Sequence, residues 1–281
     1  MIHLITDSAA DFEPRELEQL NIVCIPLSVR FGDADYQENV NLTKDQFYEL
    51  LLNSGELPKT SQASPQILLD LFENARDAGD EAIYFTLSSA LSGTYQSACM
   101  TRDLAESDRC HVVDSLNATG GQRLILEHAA GLRAEGRTAD EIIAGVEDIR
   151  SRIVLFACID TLEYLYKGGR ISQTVYKLGT LANIKPIITV EPDGSIGIPA
   201  KAMGMRKGMD LLCKQAQSRP ADPAFPFYVM YTNNRSVAEA LAAKLAAVGI
   251  PVPDERIIQV GAAIGSHIGP DACGLVYVAA K

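Results

Sequence analysis

Glu81-Ala82-Ile83-Tyr84-Phe85-Thr86-Leu87-Ser88-Ser89-Ala90-Leu91-Ser92-Gly93-Thr94 reads as an apolar strand, a turn of small polar residues, and the start of a helix running to about residue 106. A continuous apolar run of this length fits a strand buried on both faces. The same order recurs on either side. Residues 2–6 form a strand that ends at Asp7-Ser8, and 13–20 form a helix with Pro14 at an early helical position. Residues 22–29 read as a second strand, and 43–53 as an amphipathic helix capped by Thr43. Ser64-Pro65 opens a further helix. The strand 110–114 leads through Ser115 into a long helix to about 135, and Thr138 with Glu141 forms a capping box for the next. Strand, polar turn and helix in repetition specify a parallel sheet with helices on both faces. Ligands of such sheets lie beyond the carboxyl ends of the strands. Asp7-Ser8, Ser88-Ser89 and Asp114-Ser115 all fall there, so that edge is the expected binding edge.

The second half changes texture. A strand over 153–159, a short helix over 160–166 and a helix over 173–182 come first. Pro192-Asp193-Gly194 then makes a hairpin turn between strands 187–191 and 195–199. Helices over 206–218 and 234–248 and strands over 227–232, 256–260 and 274–278 complete an α+β unit. The 281 residues exceed what one core usually organises. Two domains are therefore expected, an N-terminal three-layer α/β domain over 1–158 packed on a C-terminal α+β domain over 159–281.

Charge and cysteine usage narrow the function. A formal net charge of −11 disfavours nucleic acid and leaves at most transient contact with a membrane surface. Cys24, Cys99, Cys110, Cys158, Cys213 and Cys273 are too scattered for a zinc half-site. With no leader-like or membrane-length apolar run, the expected compartment is the cytoplasm.

Several short stretches could carry chemistry. Lys59-Thr60-Ser61-Gln62 is either a polar loop before the cap at Ser64 or a hydroxyl pair aimed at a ligand. Residues 88–94 offer Gly93 for close backbone approach and free N–H groups at a helix start, an anion cradle or a serine-rich cap. His267 lies in Gly265-Ser266-His267-Ile268-Gly269-Pro270, a small-residue loop. Arg170 follows the glycine pair Gly168-Gly169, where it either binds an anion and orients hydroxyls or pins the helix end. Lys201, Arg206 and Lys207 form a basic island, a solvated surface or a docking patch.

Taken together, these motifs resemble the DegV family, which includes the fatty-acid-binding subunits of bacterial fatty acid kinase. The stretches that carry the resemblance are Thr6-Asp7-Ser8, Lys59-Thr60-Ser61-Gln62, residues 88–95, Val113-Asp114-Ser115, residues 165–172, Asn183-Ile184-Lys185-Pro186 and residues 267–274. The chain departs from the family pattern at Ala63, Asp271 and the thinner basic segment around Arg206-Lys207-Gly208. The resemblance implies a long-chain fatty acid in a buried tunnel of the C-terminal domain and no cofactor. It implies a carboxylate held by Thr60, Ser92 and His267, with the Gly93 backbone as an extra donor, Ser61 adjacent and Arg170 behind them. It also implies a separate fatty acid kinase catalytic subunit that docks at Lys201, Arg206 and Lys207 and makes an acyl phosphate for phospholipid synthesis, so that this chain is not itself the catalyst. Two other readings compete: a hydrolase using Ser92 and His267, and a phosphotransfer enzyme for a small metabolite at the serine-rich strand ends.

Overall fold

The computed structural model describes residues 1–177 and 183–281. Of the helix expected over 173–182, Gln173–Lys177 is present and 178–182 lie outside the described residues. In the first sheet, Ile2–Asp7 lies between Ile22–Ile25 and Glu81–Thr86, with Cys110–Asp114 beyond, and every pair is parallel. Alternate residues of the strands face opposite helix layers. Ile83 and Phe85 pack with the helices Thr119–Ala134 and Ala139–Arg150. Ala82 and Tyr84 pack with Pro65–Ala78 and Thr94–Leu104. That is the three-layer α/β arrangement the apolar runs called for.

The second sheet has the order Ile196–Met203, Ile184–Val190, Ile153–Ile159, Ala272–Val278, Tyr228–Tyr231, Ile257–Gln259. Only its last pair is parallel. Met205–Ser218 and Arg235–Ala247 cover one face. Leu155, Tyr228, Met230 and Val276 on the other face share a core with Thr119–Ala134 and the first sheet. The helix Thr119–Ala134 is thus a common layer between the two sheets, and residues 119–126 are all buried. Gln122 bonds Thr6, Asp7 and the Phe85 carbonyl on the first sheet. Gly120 faces the second sheet so closely that a Cβ would stand 2.4 Å from Val276 Cγ1. The expected 158/159 boundary falls inside the strand Ile153–Ile159, which is paired on both sides within the second sheet. The chain changes sheets before that strand, after the helix Ala139–Arg150.

Two readings need correction. The apolar stretch 22–29 is two strands, because Pro26 has no N–H to continue a ladder. Ile22–Ile25 stays in the first sheet, while Ser28–Phe31 is the central strand of a small antiparallel sheet with Ala34–Gln37 and Lys59–Ser61. Lys59–Ser61 is therefore a strand rather than a loop. His267 lies on the helix Ala262–Ile268, not in a loop. The glycine there serves close packing: a Cβ at Gly265 would stand 2.6 Å from the Tyr48 hydroxyl.

Three buried carboxylates join the pieces. Asp7 accepts from Ala9 N (3.1 Å), Leu87 N (2.9 Å) and Gln122 Nε2 (3.2 Å). Asp11 accepts from Gly261 N at 2.8 Å and Thr119 Oγ1 at 2.5 Å. Glu38 accepts from Ser8 Oγ at 2.6 Å and Ala263 N at 3.3 Å. Burial raises Asp7 and Asp11 to about 6 against the hydrogen bonds that favour their ionised forms. Burial, reinforced by the Asp11 charge, raises Glu38 to about 7. Among the described residues, no helix is long and apolar enough to cross a membrane.

Two outcomes follow. Gly120→Ala is expected to destabilise by about 1–3 kcal/mol, overpacking outweighing the gain in helix propensity. Gly131→Ala, on the exposed part of the same helix with nothing within 4 Å, is expected to stabilise by up to about 1 kcal/mol. Chemical denaturation of both variants checks the pair; equal effects would show that Gly120 does not set the sheet-to-helix spacing. Separately, the folded chain holds the Glu38 proton up to about pH 7, whereas an unfolded chain releases it near 4.5. Between those values the folded state binds more protons, so this group's contribution to stability falls as pH rises. The stability of Glu38→Gln relative to the parent should therefore climb from pH 5 to pH 8 in guanidinium titrations, and a constant difference would mean that Glu38 titrates normally.

Candidate functional site

A cavity of about 960 Å³, part of it open to solvent, lies where the three sheets meet. Its walls are mostly apolar: Leu155, Ala157, Ile188, Val190 and Ile196 from the second sheet, with Met230, Leu165, Ile264 and Ile268. Leu27, Leu87 and Leu91 close it on the side of the first sheet. Thr60, Ser61, Gln62, Ser92, Arg170 and His267 line the same cavity.

Each polar residue is placed by its own element. Thr60 is opposite Val29 in the small sheet, and its Oγ1 lies 2.9 Å from His267 Nε2. His267 is half-buried; burial, and then the Arg170 charge, push its imidazole down to about 3, so it is neutral at pH 7. Its Nδ1 has no hydrogen-bond partner among the described residues. Gly168 packs against that nitrogen, and a Cβ there would stand 2.2 Å away. Ser92 Oγ lies 2.9 Å from Thr94 Oγ1 and accepts from Thr94 N at 3.2 Å. Arg170 follows Gly169, whose φ of 76° lets the chain leave the helix Glu163–Lys167. Its Nε donates to Leu91 O at 3.0 Å, its Nη1 donates to Gly168 O, and burial lowers its pKa.

Leu91, Ser92 and Arg170 also border a shallow polar groove completed by Ser89, Ala90, Gly93, Gln96 and Gly169. The polar part of the cavity and the surface groove are thus separated by no more than these three residues. Gly93 belongs to this groove and not to the cavity lining, while Ser61 is exposed at the cavity's edge. Lys201, Arg206 and Lys207 are exposed on the second half and do not line the cavity.

The structure does not assemble the serine–histidine dyad, and it withdraws the first part of the serine-rich turn from the anion cradle. In the turn, Ser89 N bonds Asp114, Ala90 N bonds Ser88 Oγ, and Leu91 N and Ser92 N bond the Ser88 carbonyl. Those N–H groups are spent internally. The His267 imidazole is bonded to Thr60, not to Ser92. At the expected binding edge, Asp7 and Ser8 are buried in internal bonds, Ser88 donates to Gly194 O at 2.8 Å, and Ser115 donates to Asn117 O at 3.0 Å. Sequence reasoning missed Thr94 as the partner of Ser92, Gly168 as the floor beneath His267, and the apolar wall. Of these only Gly168 had a signal, the glycine pair, which read as a helix end.

The chain matches the family model described as "Uncharacterised protein, DegV family" over residues 1–280. It is 33% identical to a DegV domain-containing protein of Caldanaerobacter subterraneus over 279 residues, 98% of each chain. Among solved structures it is similar to a fatty-acid-binding DegV family protein from Thermus thermophilus, with 28% identity, a TM-score of 0.89 and 99% of each chain covered. It is likewise similar to DegV, a fatty acid binding protein from Bacillus subtilis, with 28% identity, a TM-score of 0.84 and 99% of each chain covered. With its two-sheet architecture and near-complete coverage by that family model, the chain belongs to the DegV family.

Proposed function

We propose that this chain binds a long-chain fatty acid, with the tail in the apolar cavity and the carboxylate at Thr60, Ser61 and Ser92. The observation that carries the reading is the joining of the Thr60–His267 pair and Ser92 to a largely apolar cavity, in a fold whose relatives from Thermus thermophilus and Bacillus subtilis bind fatty acids. A fatty carboxylate titrates near 4.3 and arrives ionised at neutral pH. Its burial needs donors. A neutral His267 that donates from Nε2 to Thr60 Oγ1 leaves the Thr60 proton for the ligand. Ser92 Oγ already accepts from Thr94 N, and a bond from Thr94 Oγ1 leaves the Ser92 proton free as well. Arg170 supplies the positive charge, held by two backbone carbonyls. The tail contributes roughly 0.8 kcal/mol per methylene, so a dozen give on the order of 10 kcal/mol before association costs.

The groove beside Ser92 and Arg170 leaves the head group accessible from outside. On this reading a separate, cytoplasmic fatty acid kinase transfers the terminal phosphoryl group of ATP to a carboxylate oxygen. ADP and an acyl phosphate result, and the acyl phosphate feeds phospholipid synthesis. The chain presents the substrate and does not catalyse, and Lys201, Arg206 and Lys207 form the docking patch.

Solvent extraction of the purified protein is expected to release a long-chain acid detectable by mass spectrometry, and Thr60→Ala and Ser92→Ala should each weaken fatty-acid binding by about 1–3 kcal/mol. No extracted lipid, or parent-like affinity in both variants, would overturn the assignment. Arg206→Glu should weaken coupling to the kinase in a reconstituted assay and leave lipid loading intact; undiminished coupling would remove the docking patch.

A further inference from the structure

Thr60 and His267 meet because one small sheet holds the helix Ala262–Ile268 at two points. Ser28 pairs with Ser61 on one side and with Gln37 on the other. Thr60 therefore lies on one edge strand, and Glu38 follows directly from the other. Thr60 meets His267 near the carboxyl end of the helix, and Glu38 accepts from Ala263 N near its amino end, about one turn away. Glu38 is 1% exposed, and its second oxygen accepts from Ser8 Oγ, itself bonded by Leu27 N. Gly261 has no room for a side chain: a Cβ would stand 2.1 Å from Glu38 Oε1 and 2.8 Å from Asp11 Oδ1. Tyr48 donates to Val260 O at 2.9 Å, just before the helix. The helix is short, seven residues, so a shift at its amino end reaches His267 undamped.

We infer that Glu38 is a positioning residue for head-group recognition: by holding Ala263 N to the sheet that carries Thr60, it sets the Thr60–His267 distance and hence the direction of the Thr60 proton. Glu38 touches no ligand and acts through His267. The inference rests on the carboxylate reading above. It separates head-group recognition from tail burial, because misplacing Thr60 and His267 penalises an acid and spares an alcohol of equal length, which needs no buried anion neutralised.

The test compares the dissociation constants of hexadecanoic acid and hexadecanol, each measured by displacement of a fluorescent fatty-acid probe. The parent should prefer the acid. Glu38→Ala should lose about tenfold of that preference. Glu38→Gln keeps an acceptor for Ala263 N and should retain most of it. Gly145→Ala lies on the helix Ala139–Arg150, none of whose residues lines the cavity, and its Cβ would stand 2.6 Å from Leu132 Cδ1. It should destabilise the core and keep the preference whole, which separates positioning from general loss of stability. If Glu38→Ala does not fold, Glu38→Asp, one methylene too short to reach Ala263 N, decides the question by the same ratio. A parent-like preference in Glu38→Ala or, failing its folding, Glu38→Asp overturns the inference while leaving the carboxylate reading standing. A parent without preference for the acid, unchanged by Thr60→Ala, overturns the carboxylate reading itself.

Discussion

The hydrogen bond between Thr60 and His267 joins segments 207 residues apart, and the site depends on it. The imidazole in that pair is neutral at pH 7. An imidazolium there would be buried beside Arg170, two like charges in a medium that screens them poorly. Burial and that guanidinium together drive the proton off, leaving a ring with a single N–H. In the tautomer with that N–H on Nε2, its donation to Thr60 leaves the threonine hydroxyl as an oriented donor. The positive charge is left to Arg170, which two backbone carbonyls hold beside the groove. On the proposed reading, recognition is thereby divided: hydroxyls give direction, and a fixed cation gives the field.

The first sheet was legible because its central strands are buried on both faces and its helices have visible starts. Thr43 and Thr138 cap their helices with the reciprocal side-chain bonds expected from their spacing. The stretch 22–29 was misread because apolar character reports burial and not the partner buried against. Pro26 was the available sign that the ladder stops. Three residues at 59–61 carry too little pattern to announce a strand, yet that strand delivers Thr60. The helix bearing His267 was obscured by glycines, whose role is close approach of Gly261 and Gly265 to Glu38 and Tyr48. From one sequence, a glycine that breaks a helix and a glycine that lets one be packed look alike.

The polar residues at strand ends separate into two populations that share composition. Asp7, Ser8, Ser88, Asp114 and Ser115 turn back on backbone groups of neighbouring turns. Thr60, Ser92 and Arg170 face the cavity. Turns between a strand and a helix leave N–H groups that no ladder satisfies, and burying them unpaired costs about as much as a lost hydrogen bond. Short polar side chains nearby are consumed by that demand first. Only hydroxyls in excess of it remain for a ligand. The serine-rich turn 88–94 illustrates the division, with Ser88 spent on Ala90 N and Gly194 O while Ser92 borders the opening.

The cavity needs a frame, since apolar walls that do not pack on one another forfeit contacts and tend to close. Its walls are held apart by groups that do not belong to the lining. Ile153–Ile159 and Ile184–Val190 are each paired on both sides, so Leu155, Ala157, Ile188 and Val190 cannot move inward without breaking a ladder. The tip of the hairpin is tied to the first sheet by Ser88 Oγ on Gly194 O. Gly194 accepts this approach because its φ is 82° and a Cβ would stand 2.1 Å from that hydroxyl. Val190 and Ile196, flanking the same turn, are thereby fixed as wall. A frame of hydrogen-bonded backbone thus maintains a void that side-chain packing alone would close. On the proposed reading, an alkyl chain packs against those walls without altering the frame, and a ligand that binds the folded state alone also stabilises it.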